Sequence, residues 1–251
     1  GIEWKRRKYN FLEKLWLYIN ERAGYYICDH LIADNPNIKK HLQRKNKEKK
    51  IDMIPYGAKK TTISFKKEQS ILRKLKIKKP YALVVARPVD ENNIFEIVKT
   101  FSHLKEKLNL IVLGNYSIED KYQKKVLKIA TTNVIFLGAI YEKDKLSTLR
   151  NNALIYIHGH SVGGTNPALV EAMSYGIPIF AHNNLFNKWV AVDESKFFNN
   201  EIELKDQISL ILGNELVLEK MSKSSFERHQ KFFRWSSILE SYNKLFSQYT
   251  K

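Results

Sequence analysis

This 251-residue chain has a single cysteine and no long apolar run, and each of these features excludes some classes of protein. The single cysteine, Cys28, excludes an internal disulfide framework and a metal site built from cysteines alone. So low a cysteine content is typical of a protein from a reducing compartment. No apolar run reaches the roughly eighteen residues of a membrane span, and the features of a secretory signal do not open the chain. With 43% hydrophobic residues, the sequence predicts a cytoplasmic protein with a core of its own.

Acidic residues are also scarce, since 26 Asp and Glu stand against 43 Lys and Arg and the net charge is +17. Such a charge suits nucleic acid, an anionic membrane surface, or simply a lysine-rich proteome. The lysines form short clusters, at residues 45–50 and 74–79, without an arginine-rich reading helix or interleaved stacking aromatics. The sequence therefore predicts no nucleic-acid partner.

The first twenty residues read as a basic amphipathic helix. Its apolar side can lie on anionic lipid at the inner face of the plasma membrane, or pack on a part of the fold outside this chain. The chain begins with Gly1 rather than methionine inside this pattern, so we expect the natural N-terminus to lie upstream. The apolar side chains at helical spacing are Trp4, Phe11, Leu12, Leu15, Trp16, Tyr18 and Ile19.

Short β-rich runs then alternate with helical patterns, which favours a parallel sheet with helices on both faces. The main unit is predicted to be one doubly wound, Rossmann-like α/β domain, preceded by two strands around a helix that starts near Pro36. A domain boundary is expected near residues 57–62. The predicted strands are 30–34, 51–55, 81–86, 110–113, 134–137, 154–157 and 177–181, and the predicted helices are 67–75, 92–107, 118–130, 142–151, 167–175, 201–212, 215–229 and 235–249.

Residues 158–179 join a glycine-rich turn to the start of a helix. A Thr-Asn pair offers an N-cap, and the proline after it suits the first helical position. The glycines carry no Cβ, so an anion could approach the backbone, where free N–H groups and the positive end of the helix would face it. An ordinary capped helix fits the same pattern. The predicted anion site comprises Gly163, Gly164, Thr165, Asn166 and Pro167.

Two charged side chains accompany this loop. Glu171 lies one turn inside the helix, where its carboxylate could accept hydrogen bonds from the sugar hydroxyls of a nucleotide. Arg87 follows the first strand of the main sheet, and its fork of donors suits phosphate oxygens, although a surface ion pair would also explain it. The strand-end glycines, Gly114 and Gly138, fall at the same carboxyl edge, where ligands of such sheets bind and where short turns also require glycine.

These residues resemble the retaining nucleotide-sugar glycosyltransferases of family 4 (group 1), which have the two-domain GT-B fold. The likeness spans nearly the whole chain. It implies a remnant of the N-terminal acceptor domain and a hinge at residues 1–58, a donor-binding domain at 59–233, and a C-terminal helix at 234–251 that crosses back. About the first hundred residues of a complete enzyme would be missing. The matching motifs are Val84-Val85-Ala86-Arg87, Phe136-Leu137-Gly138 and Glu171-Ala172-Met173.

Two positions depart from the family pattern. Gly163 stands where the family usually has a first glutamate, so the contact expected from that side chain to the donor sugar is absent. Asn92 stands where a lysine usually follows the arginine. With the opening sequence and the loop from His158, these changes resemble a bacterial rhamnosyltransferase-like subgroup that builds cell-surface polysaccharides. The resemblance implies deoxythymidine diphosphate rhamnose as the donor.

In the mechanism that the resemblance implies, the sugar is transferred with retention to a glycan or lipid-linked acceptor. Charge grows on the departing diphosphate, Arg87 stabilises it, and no metal or other cofactor is needed. His158 and His160 could touch the sugar or serve as structural hydrogen bonders. Lys188, further along the chain, is a weaker candidate for the anion site. The candidates for the base pocket are Phe136, Gly138 and Ile140, although Phe136 could equally belong to the core.

Two other functions would use the same cradle. A GT-B sugar-nucleotide epimerase resembles the chain less at Glu171, and would interconvert donors without an acceptor. A non-catalytic nucleotide-sugar-binding module is favoured by Gly163 and by the expected truncation. Turnover with an acceptor would separate the transferase from both.

Overall fold

A computed structural model of the chain describes residues 2–6, 8–44, 48–104, 108–192 and 194–249. Its main body is a six-stranded parallel sheet in the order β5-β4-β3-β6-β7-β8. The strands are β3 (Tyr81–Val85), β4 (Asn109–Leu113), β5 (Val134–Phe136), β6 (Ile155–His158), β7 (Ile179–His182) and β8 (Lys196–Phe198).

Helices alternate with the strands along the chain and cover the sheet, and two hydrophobic cores lie between the helices and the sheet. Residues of β3 and β4 alternate between the cores, so that Ala82 and Val84 face one layer while Tyr81 and Leu83 face the other, all fully buried. The helices are α3 (Phe65–Lys74), α4 (Ile94–Leu104), α5 (Lys121–Ile129), α6 (Lys143–Asn151), α7 (Pro167–Ser174), α8 (Leu185–Val190), α9 (Glu201–Ile211) and α10 (Glu215–Phe232).

A smaller unit precedes the main sheet. It holds α1 (Phe11–Ile27), β1 (Leu31–Ala33), α2 (Pro36–Gln43) and β2 (Ile51–Met53), with β1 and β2 paired in parallel. The last helix, α11 (Trp235–Phe246), packs on this side of the molecule, where Ile238 and Leu245 bury Ile54. Over the described residues, no helix combines the length and the apolarity needed to cross a membrane.

The strand order places a topological switch point between β3 and β6, because the chain builds β4 and β5 on one side and returns to build β6, β7 and β8 on the other. Loops that leave two neighbouring strands in opposite directions open a crevice at the carboxyl edge of such a sheet. Arg87 follows β3, and the glycine-rich loop follows β6. The predicted site therefore falls at this crevice.

The predicted α/β architecture is confirmed, and its differences are local. The N-terminal helix begins at Phe11, after a capping box at Asn10, and Trp4 lies in a short 3-10 turn instead. The helix predicted at 92–107 begins at Ile94 because Asn93 adopts a left-handed conformation, and residues 105–107 lie outside the described residues. Gly1 and residues 45–47 of the first lysine cluster also lie outside them. β8 and α8 were not predicted.

Candidate functional site

Two adjoining cavities, of about 510 and 280 Å³, open at the carboxyl ends of β3 and β6. Glu171 and Ile140 line the larger one, and Gly163, Gly164 and Thr165 line the smaller one. Their combined size falls within the range of small-molecule sites. Five residues line both cavities and so join them into one cleft: Arg6, Arg87, His160, Asn166 and Pro167.

Arg87 is the exposed cation of this cleft. A tight turn after β3 holds its main chain, since the Arg87 carbonyl accepts hydrogen bonds from the Val89 amide at 2.8 Å and from Asn92 Nδ2 at 2.8 Å. Within the described ranges no carboxylate lies within ion-pair distance of its guanidinium. Buried Asn92 thus fixes the turn at the position where the family usually has a lysine, and Arg87 stays available to an anion.

The glycine-rich loop leaves fewer free amides than we predicted. The Thr165 amide donates to the Asp34 carboxylate at 2.9 Å, and the Thr165 hydroxyl donates to the Asp34 carbonyl. The Asn166 side chain caps α7 by accepting from the Ala168 amide at 3.0 Å. An anion at the helix start would therefore compete with Asp34, a residue that sequence reasoning missed because it lies 131 positions away.

The two glycines meet different constraints. A Cβ on Gly164 would lie 2.2 Å from Asp34 Oδ2, so Gly164 permits the close approach of the two segments. Gly163 has φ of +139°, which favours glycine, and a Cβ there would meet no atom within 4 Å. Open space thus lies where the family's first glutamate side chain would start. Burial raises the pKa of Asp34.

Glu171 lines the larger cavity from the first turns of α7. Its carboxylate pairs with the guanidinium of Arg150, a buried residue on α6 that the sequence did not single out. The Glu171 side chain remains 42% exposed, so an oxygen can still accept a hydrogen bond from a ligand hydroxyl. The pair fixes the carboxylate at the mouth of the cavity.

His158, the last residue of β6, and His160 stack with ring centroids 4.3 Å apart, and they differ in their access to the cleft. His160 lines the cleft, whereas His158 is buried and lines neither cavity. Burial and the nearby Arg6 and Arg87 cations lower the pKa of His160 to about 4, and burial lowers the pKa of His158. Both rings are therefore neutral near pH 7, and only His160 can reach a ligand.

The candidates for the base pocket also differ in whether they line a cavity. Ile140 lines the larger cavity. Gly138 is one residue removed from it and accepts a hydrogen bond from the Gly114 amide at 3.0 Å, in a conformation with φ of +72°. Phe136 packs edge-on against Tyr116 in the core. Lys188, the weaker candidate for the anion site, is exposed on α8 with its ammonium 5.9 Å from the Phe197 ring, and it lines neither cavity.

Arg6 is the second cation of the cleft, and sequence reasoning missed it. It lies in the N-terminal segment, 85 positions from Glu91, yet its Nη1 lies 2.5 Å from Glu91 Oε1. Glu3 pairs with Arg6 Nε at 2.6 Å. Because Glu91 is buried beside the turn after β3, this ion pair holds Arg6 against the sheet side of the cleft.

A model of the family of glycosyl transferases group 1 matches residues 65–228. The chain belongs to this family. A second model, a domain of unknown function (DUF1972), matches residues 1–59. No protein with curated annotation matches the chain.

Solved structures share the fold of this chain. Sucrose-phosphate synthase from Thermosynechococcus elongatus covers 97% of the chain with a TM-score of 0.81 at 18% identity, and the chain spans 63% of its length. Anabaena Alr3699/HepE, solved with UDP and glucose, covers 98% with a TM-score of 0.80 at 12% identity, and the chain spans 70% of it. A glycosyltransferase from Rickettsia africae covers 88% with a TM-score of 0.77 at 16% identity, and the chain spans 63% of it. The fold is therefore the predicted GT-B type.

Proposed function

We propose that this chain binds the donor of an enzyme that moves a sugar from a nucleoside diphosphate to a glycan or a lipid-linked acceptor. One observation carries the proposal: unpaired Arg87 and half-exposed Glu171 line one cavity of about 510 Å³ at the switch point of the sheet. A cation and a carboxylate so placed match the diphosphate and the sugar hydroxyls of a nucleotide. The complex of HepE with UDP and glucose, a protein of the same fold, supports this ligand class.

Arg87 would stabilise the charge that grows on the diphosphate as the bond to the sugar breaks, and no metal ion is required for that role. Arg6 would assist from the N-terminal side, since it reaches the same cleft. Ile140 would contact the base, and neutral His160 would contact the sugar. Apart from Arg6, donor binding is assigned to residues 59–233, and the rest of residues 1–58 and the helix at 234–251 would form the acceptor side.

The finer features of the proposal come from the family resemblance. They are retention at the anomeric carbon, rhamnose on deoxythymidine diphosphate as donor, and a growing bacterial surface polysaccharide as product. A cytoplasmic site of action, at the inner face of the plasma membrane, suits such an acceptor. The exposed apolar side chains of α1, among them Phe11 at 78% and Trp16 at 65% exposure, offer the membrane contact.

Binding without transfer is a second candidate function. The observation that favours it is Gly163, which leaves open space where the family's first glutamate would contact the donor sugar. Release of nucleoside diphosphate from the donor in the presence of an acceptor would identify a transferase, and donor binding without such release would identify a binding module.

Calorimetric titration with deoxythymidine, uridine and guanosine diphosphates tests the donor site. We expect one of them to bind selectively, and Glu171→Ala to weaken that binding about tenfold through loss of a hydrogen bond between a charged group and the ligand. Glu219→Ala, which removes an exposed carboxylate from α10, is the control. Equal binding by both variants, or loss of the thermal unfolding transition in Glu171→Ala, would contradict the assignment.

A further inference from the structure

A third cavity, of about 770 Å³, shares only Glu171 among its lining residues with the donor cleft. One wall is the connection between the small unit and the main sheet, from Gly57 to Thr62, and the opposite wall comes from α6 and α7. Trp235 closes one end. Neither Arg87 nor the glycine-rich loop lines it, so it is distinct from the cleft that holds the proposed donor.

Hydrogen bonds build the walls of this cavity from segments far apart in the sequence. The Tyr175 hydroxyl accepts from the Thr61 amide at 3.1 Å and donates to Ser147 Oγ at 2.9 Å. The Ser147 hydroxyl in turn donates to the Thr61 carbonyl at 2.7 Å. At the other end, the Ala58 amide donates to the Phe233 carbonyl at 2.9 Å. The cavity is thus preformed, which lowers the cost of ordering a ligand in it.

The charge of the lining is strongly positive. Lys59, Lys60, Lys143 and Arg150 face the cavity, and its one acidic lining residue, Glu171, is already paired with Arg150. In the described part of the chain, none of the three ammonium groups has a carboxylate within ion-pair distance. Three unpaired cations around one preformed space favour an anion.

Arg150 supplies an independent observation. Its side chain is only 9% exposed, and its Nε has no hydrogen-bond partner among the described residues. A buried guanidinium nitrogen without an acceptor is costly, and the guanidinium lines the cavity, where its charge would attract anionic oxygens. Tetrahedral phosphate offers several such oxygens to a planar fork of donors.

We propose that this hinge cavity, lined by Lys59, Lys60, Lys143 and Arg150, is a second anion site that binds a phosphate monoester. The site uses cations other than Arg6 and Arg87 of the donor cleft, and the Glu171–Arg150 pair lies between the two sites. Trp235 and Tyr175, whose ring lies 5.3 Å from the Lys60 ammonium, also line the cavity and would contact an organic group beside the phosphate. The ligand class is therefore a small phosphorylated molecule or the headgroup of a phosphorylated lipid.

Titration with inorganic phosphate, followed by calorimetry, tests the site on the chain as it stands. We expect Lys60→Gln/Lys143→Gln to weaken phosphate binding about tenfold, since each lysine contributes a charge-assisted contact. The matched control is Lys66→Gln/Lys223→Gln, which makes the same change of charge at exposed positions outside the cavity. An equal effect of both double variants, or no binding at millimolar phosphate, would overturn the proposal.

Arg87→Gln separates this site from the donor cleft. Phosphate binding that persists in Arg87→Gln supports the hinge cavity, and binding that Arg87→Gln abolishes overturns it. Failure of the donor proposal would show differently, as absence of nucleoside diphosphate binding while phosphate still binds. Sedimentation with phosphatidic acid vesicles then identifies the source of the phosphate monoester. Vesicle binding that is lost in the lysine double variant would support a lipid headgroup. Binding of free phosphate without binding of vesicles would support a soluble ester.

Discussion

The two walls of the cleft hold their functional side chains in different ways. On the sheet side, a main-chain turn places Arg87 two residues after β3, and α7, which follows β6 and the glycine-rich loop, places Glu171. On the N-terminal side, Arg6 and Asp34 reach the cleft through side-chain contacts with residues 85 and 131 positions away. The first wall depends on local sequence, whereas the second depends on how the small unit docks.

This difference indicates which substitutions affect ligand binding without affecting the docking of the small unit. A substitution of Arg87 or Glu171 changes the ligand contacts and leaves intact the contacts of Thr165 and Glu91 with the small unit. A substitution on the N-terminal side changes both, because Arg6 and Asp34 hold the small unit and face the cleft at once. Each test of the N-terminal side therefore needs a measurement of stability beside a measurement of binding.

Arg87→Ala should produce the largest effect on binding. We expect the affinity for the nucleoside diphosphate that binds to fall about a hundredfold, since charged hydrogen bonds to two phosphate groups are lost. The affinity for the bare nucleoside should stay unchanged, and Arg73→Ala on α3 is the control. Calorimetric titration checks both ligands, and an equal loss for the diphosphate and the nucleoside would refute the phosphate role of Arg87.

The sheet side could be predicted from the sequence because its signals are local. Buried parallel strands read as continuous apolar runs, and the residues that follow them lie at the carboxyl edge of the sheet, where Arg87 and His160 line the cleft. The capping pattern of α7 brings Glu171 to the same cleft. The short elements β8 and α8 carry no comparable run and were missed. Sequence reasoning could not recognise Arg6, Asp34 and Arg150, since tertiary packing determines the residues that they contact. No spacing in the sequence indicates those contacts.

The stacked histidines make the stability of the sheet side depend on pH. His160 has a folded pKa of about 4 against an ordinary value of 6.5, so the unfolded chain binds more protons between these values. Stability should therefore fall by roughly 1–3 kcal/mol as the pH drops from 6.5 towards 4, with His158 acting in the same direction.

Urea unfolding of the wild type and of His160→Gln over this range measures the contribution of His160. The raised pKa of Asp34 acts in the opposite direction, since a folded state that binds its proton more tightly gains stability as the pH falls. Asp34 is present in both proteins, so the difference between them isolates the histidine. Parallel pH profiles for the two proteins would show that His160 does not titrate between folded and unfolded states as inferred.

Arg6→Gln tests the N-terminal side. We expect about a tenfold loss of nucleoside diphosphate affinity, smaller than for Arg87→Ala because Arg6 is already paired with Glu3 and Glu91. Glutamine can still donate to Glu91, and Lys8→Gln removes a nearby exposed charge as the control. Unchanged affinity together with a lowered melting temperature would show that Arg6 only docks the N-terminal segment.

Asp34→Asn should have the smallest effect and the opposite sign. Asparagine keeps an oxygen that can accept from the Thr165 amide, while the negative charge beside the glycine-rich loop is removed. Removal of one like charge from a partly buried site should raise nucleoside diphosphate affinity about threefold, corresponding to roughly 0.7 kcal/mol. Asp206→Asn, at an exposed position on α9, should leave the affinity unchanged. A fall in affinity for Asp34→Asn would mean that the carboxylate helps to bind the ligand, and Asp34 would then join Glu171 as a group that recognises the sugar.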